Sequence, residues 1–237
     1  MSRSKRVVGA CFLLSALLAI AEDEAKKAPE IFAKENSVTD SKGNEYFPKK
    51  YDNWYRPHLR AMEEPSIFSQ ASSETFSQFR FLYLPTFAKP ISFRGFKSDD
   101  RFYVRVIRLT GKGGYDPGEI EIGVNVEITK QEWSALKAAI IRSFKETKLT
   151  DLQRNLISGL DGSQWVLEAS IDGKYYYEEA PQAGYWTSSD GLKRLKELED
   201  QGMAVPILFA FADACNSFLS LTDFTLPSRM VPDFPSK

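Results

Sequence analysis

The chain has 237 residues, with 31 Lys plus Arg against 32 Asp plus Glu, one His and two Cys. A single histidine, His58, excludes multi-histidine metal sites and leaves a Ser-His-Asp or Cys-His arrangement only if that residue takes part; two cysteines cannot build a zinc ribbon. The balanced charge gives no electrostatic footprint for nucleic acid.

The first 21 residues read as a secretory signal peptide. Arg3, Lys5 and Arg6 form a basic region, Val7 to Ile20 is an apolar run, and Ala19-Ile20-Ala21 is a small-x-small cleavage site. The run is shorter than the roughly 20 residues that span a bilayer, so a retained anchor is the poorer reading. Val8-Gly9-Ala10-Cys11 resembles a lipoprotein box, but most of the apolar run follows Cys11 rather than preceding it, which disfavours lipidation. Cleavage after Ala21 takes three basic side chains and no acidic one, moving the formal net charge from −1 to −4 and leaving Cys215 without a disulfide partner. The expected location is periplasmic or secreted, with membrane contact only through export. Residues 22–50 have the Lys-, Glu- and Ser-rich composition of a flexible charged tether, 51–226 form one domain, and 227–237, with three prolines, form an irregular tail.

The domain opens with a short helix over Asp52–Glu64, with Pro57 near its first turn. Thr75–Leu84 predicts a strand with Phe79, Phe81 and Tyr83 on one face and Arg80, Leu82 and Leu84 on the other, stopped by Pro85. Ile91–Lys97 and Phe102–Leu109 flank a polar Ser98-Asp99-Asp100 turn and read as a hairpin. From Glu119 to Ile128 the even positions are Ile120, Ile122, Val124, Val126 and Ile128, predicting one buried face and one solvated face.

Thr129-Lys130-Gln131-Glu132 is a capping box, and Trp133, Leu136, Ile140 and Phe144 make one stripe of the helix it starts. Ser163–Ile171 and Lys174–Ala180 flank Asp172-Gly173, a two-residue hairpin turn that sets Ile171 opposite Lys174 and Glu168 opposite Tyr177. That register places Trp165, Leu167, Ala169 and Ile171 on the core face and Glu168, Tyr175 and Tyr177 on a solvated one. Asp190–Gln201 is an amphipathic helix ended by Gly202, and Ile207–Leu221 is a largely buried helix carrying Phe211, Cys215 and Phe218. The predicted class is α+β: an antiparallel sheet of about six strands with helices packed on one face.

The most unusual segment is Gly111-Lys112-Gly113-Gly114-Tyr115-Asp116-Pro117-Gly118. A strand rather than a helix follows it and no G-K-[ST] is present, so it is not a nucleotide loop. It is read either as a contact loop presenting Tyr115 and Asp116 or as a wide strand connection needing positive φ, the second being favoured. Asp116, Asp161 and Glu168 are the carboxylates that a hydrolase would need to bring together, but no spacing motif joins them. Arg80, Arg94, Arg105 and Arg108 form either a basic surface for an acidic partner or cross-strand pairs with Glu119, Glu121 and Glu127, of which pairing is favoured. His58 is expected as a partly exposed structural residue and Cys215 as a small hydrophobe. The residues nominated for ligand or partner contact are Gly113, Gly114, Tyr115, Asp116, Asp161, Glu168 and Tyr177; none is assigned to catalysis, to a metal or to a cofactor.

Phe79-Arg80-Phe81-Leu82-Tyr83-Leu84-Pro85-Thr86-Phe87, Gly113 to Gly118, and Leu160-Asp161-Gly162-Ser163-Gln164-Trp165-Val166-Leu167-Glu168 resemble, in this order, the F-R-x-L-x-L-x-T-F, G-G-Y-x-P-G and G-x-D-G-x-x-W-x-L-E segments of a family of uncharacterised secreted bacterial proteins. Phe144-Lys145 and Tyr176-Tyr177 depart from the F-W and Y-H of that pattern. The resemblance covers Phe79 to Leu221 and implies an envelope protein without an established reaction. The functional expectation is an exported, non-enzymatic binding or inhibitory protein of immunity type with a protein partner. A carboxylate-dependent hydrolase of envelope polymers and a purely structural envelope protein are the alternatives.

Overall fold

The computed structural model describes residues 38–39, 45–46, 49–71, 77–146, 153, 157, 162–202 and 208–222. The expected signal peptide, most of the tether, the tail, Cys11 and Asp161 lie outside them. Within residues 22–50, expected as a flexible tether, β1 (Val38–Thr39) pairs antiparallel with β2 (Glu45–Tyr46).

Six strands form one antiparallel sheet: β3 (Gln78–Pro85), β4 (Ile91–Ser98), β5 (Arg101–Leu109), β6 (Ile120–Ile128), β7 (Ser163–Ile171) and β8 (Lys174–Pro181). Their order is β6-β5-β4-β3-β7-β8. The first four make a meander; α3 (Lys130–Glu146) then carries the chain back so that β7 pairs with the free side of β3. Local chemistry sets the turns. Asp172 and Gly173 take φ of 52° and 76°, the left-handed pair a two-residue hairpin needs, and the β7–β8 register is the one the turn dictates. The protein is therefore α+β around a six-stranded antiparallel sheet.

One face of the sheet carries Phe79, Phe81, Phe93, Val104, Val106, Trp165, Leu167 and Ala169, all buried. It is covered by α3 and by α6 (Phe209–Thr222), which pack on each other and present Trp133, Leu136 and Ile140 from one helix and Phe211, Cys215 and Phe218 from the other. α3 starts at its capping box: the Thr129 N–H donates to Glu132 Oε2 at 2.7 Å and the Glu132 N–H to Thr129 Oγ1 at 3.2 Å. The short α4 (Ala183–Trp186) and the amphipathic α5 (Ser189–Asp200), capped by Ser188, extend this layer. Burial pushes the Cys215 thiol well above its ordinary range, which suits a small hydrophobe. Among the described residues no helix is long and apolar enough to cross a membrane.

Helices also lie on the other face. There α1 (Lys49–Ala61) and α2 (Ile67–Ala71) cover the sheet, with Tyr55, Leu59 and Met62 packed on Leu82, Leu84, Ile107, Leu109 and Val166. α1 starts earlier than its sequence pattern predicts, so Pro57 falls in its interior rather than in its first turn. The fully buried Tyr55, Leu59 and Met62 offset the backbone bond that proline removes. This second layer overturns the expectation of a solvated face: all eight residues of β3 are buried, as is Glu168 on β7.

The apolar row of β6 departs from expectation in the opposite sense. Ile128 is buried, but Val124 is 47% and Ile120 40% exposed, because β6 is an edge strand at the limit of the helical layer. A register shift between Arg108 and Leu109 inserts Glu121 as an extra residue. Ile120 is thereby turned out of the row of Ile122, Val124 and Val126, and its Cγ2 lies 3.7 Å from the position a Gly123 Cβ would take.

Candidate functional site

The glycine loop between β5 and β6 is fixed to its neighbours along its length. Gly111 N–H donates to Pro117 O at 3.1 Å and Lys112 N–H to Asp116 O at 2.8 Å, while Asp116 Oδ1 accepts from the Gly118 N–H at 3.0 Å. Gly118 has φ of 69°, the positive value expected of such a turn. Two further amides dock the loop on the β3–β4 connection: Gly113 N–H to Ala88 O at 2.9 Å and Gly114 N–H to Thr86 O at 3.1 Å. Thr86 in turn donates through its amide and hydroxyl to Gly162 O, at 3.0 and 2.7 Å. The approach at Gly113 is backbone to backbone, since a Cβ there would stand 2.5 Å from Pro85 O. The β3–β4 connection, the glycine loop and the start of β7 thus meet at one end of the sheet.

That junction presents two aromatic rings to solvent. Phe87 is 50% and Tyr115 65% exposed, and their rings stack at 6.0 Å between centroids with 29° between planes. Tyr115 was legible in the sequence; Phe87 was not. Its signal is a large aromatic in the short turn between Pro85 and Pro90, where nothing local buries it.

Glu168 and Tyr177 lie elsewhere, opposite each other on β7 and β8 under α1 and α2. Glu168 accepts from Arg80 Nε at 2.7 Å and from the Tyr175 hydroxyl at 2.8 Å. Arg80 also donates to Pro65 O at 2.8 Å and faces Glu64 at 3.7 Å, and Glu64 pairs with Arg94 at 3.0 Å. Next to this cluster, Glu179 accepts from Tyr55 at 2.7 Å and Tyr177 at 2.6 Å. Burial first, then the adjacent Glu168, raises the Tyr175 hydroxyl well above its usual range; burial and Glu179 do the same to Tyr177. Glu168 is therefore an internal counter-ion rather than a surface contact, and Tyr177, half-buried, turns its hydroxyl to Glu179.

α1 links the two regions. From one helix, Tyr55 reaches Glu179 while the Trp54 indole N–H donates to Gly113 O. His58 Nδ1 lies 2.9 Å from Trp54 O and its Nε2 3.4 Å from Lys112 O. Against expectation His58 is 1% exposed, because the helix face that carries it is pressed on the glycine loop.

The nominated residues therefore divide. Gly113, Gly114, Tyr115 and Asp116 share the loop junction; Glu168 and Tyr177 share the buried polar cluster; Asp161 lies outside the described residues. Of the four arginines, Arg108 pairs with Glu121 at 2.8 Å as expected, while Arg80 and Arg94 take buried carboxylates instead and Arg105 joins none of these pairs. The Lys89 ammonium, followed by Arg108, holds the Glu121 carboxyl below its ordinary range. Among the described residues no group of three or more His, Cys, Asp or Glu side chains converges as a metal site. No family model matches the chain, and no curated protein matches it.

Proposed function

We propose that the chain is an exported, non-catalytic binding protein of the bacterial periplasm, of inhibitory or immunity type, that grips a protein partner with the end of its sheet. The observation that carries the reading is the exposed Phe87–Tyr115 pair on two interlocked loops. Exposed aromatics held in a fixed frame suit recognition, because aromatic side chains supply large contact area and the frame loses little conformational freedom on binding. The N-terminal basic and apolar pattern and the resemblance to secreted bacterial proteins support the export and the compartment. The use of Glu168 inside an ion pair supports binding over carboxylate-dependent hydrolysis.

Affinity capture from periplasmic extract tests the reading. The wild-type chain should retain one protein in stoichiometric amount, and Phe87→Ala/Tyr115→Ala should lose it while melting at an unchanged temperature, since both side chains stand in solvent. Equal capture by the double variant, or a small molecule in place of a protein, overturns it.

A further inference from the structure

Among the described residues β6 has no strand neighbour beyond β5, so its outer row of N–H and C=O groups is open along a nine-residue edge. Natural edges are blunted by charged side chains, Lys above all, by Pro or by bulges. The opposite edge, β8, opens with Lys174 and closes with Pro181, whereas β6 contains neither Lys nor Pro, confines its one bulge to Glu121, and has as its charges only Glu121 and Glu127, both paired within the chain. From Ile122 to Ile128 the strand is regular, and Val124 is nearly half exposed.

This stretch is complementary to itself. Laid antiparallel to a copy about Asn125, Ile122 opposes Ile128 and Val124 opposes Val126 on one face, while Gly123 opposes Glu127 and Asn125 opposes Asn125 on the other. No carboxylate meets another. Glu127 faces a glycine and keeps Arg101 of its own chain at 3.4 Å, and Glu121, outside the paired stretch, is held by Arg108 and Lys89. We propose that a second copy of this chain occupies β6, pairing about a two-fold axis at Asn125 to make one continuous twelve-stranded sheet.

Sedimentation equilibrium of the purified full chain should give twice the chain mass. Val124→Lys, at an exposed position, should keep its circular dichroism and fall to half that mass. Asn125→Cys should cross-link to itself on mild oxidation, because antiparallel partners at a two-fold axis lie within disulfide reach, and Ser134→Cys on α3 should not. A monomeric wild type, a Val124→Lys chain that stays dimeric, or an Asn125→Cys chain that does not cross-link overturns the proposal. So does a monomer that dimerises only after residues 223–237 are removed, which assigns the strand to the chain's own C-terminal segment.

Discussion

Arg80 holds a full charge with no exposed surface, and its contacts explain how that is tolerated. Burial by itself lowers its pKa; attraction to Glu168 and Glu64 and the hydrogen bond to Glu168 outweigh it, so the net shift is upward and the guanidinium stays charged. Taking away one side of such a pair is far worse than taking both, because the survivor keeps its desolvation penalty without its partner. Arg80→Met should therefore lower stability by about 3–5 kcal/mol, read as a fall in the urea midpoint with an unchanged slope. Arg80→Met/Glu168→Leu should recover much of that loss. A double variant as unstable as the single would show that Arg80 acts through its packing volume and not through charge.

The loops at the sheet end act as one element because their backbones touch. Gly113→Ala brings a Cβ to 2.5 Å from Pro85 O and 2.8 Å from the Leu84 carbonyl carbon, neither of which is a flexible side-chain end. The loop must lift, loosening the Gly113 N–H bond to Ala88 O and the Trp54 contact. A loss of about 1–3 kcal/mol in a denaturant titration is expected, with partner capture lost although Phe87 and Tyr115 are intact. Unaltered stability would show that the loop is not seated as described. At this scale much was legible in the sequence. The β7–β8 register followed residue by residue from Asp172-Gly173, and α3 from its capping box, because both signals are local. The cover on the second face was not. Trp54, Leu59 and Met62 mark a helix in the sequence but not the surface that receives it, so Arg80 and Glu168 read as solvated, whereas α1 and α2 cover them. The aromatic pair was half legible for the same reason: Tyr115 and Phe87 meet only when separate loops dock.

Across the whole molecule, the sheet separates an apolar layer under α3 and α6 from a mixed one under α1 and α2, and buried tyrosines occur on both sides. Burial pushes Tyr83 up to about 12, partly offset by its hydrogen bond to Ser163, and Tyr175 and Tyr177 lie well above their ordinary 10.0. Because the folded values exceed the unfolded one, the folded state holds these protons more tightly. Their stabilisation is complete below about pH 10 and is lost as pH rises through the folded values, at about 1.4 kcal/mol per pH unit for each proton released on unfolding. The chain should therefore unfold from the alkaline side, with tyrosinate absorbance of these three rings appearing together with loss of circular dichroism rather than before it. Tyr177→Phe should flatten the fall in stability above about pH 10 by close to one proton's share, even though losing the bond to Glu179 lowers stability at neutral pH. Full tyrosine titration near pH 10 in a chain whose circular dichroism is unchanged would show that the layer under α1 is open to solvent, and the buried polar cluster with it.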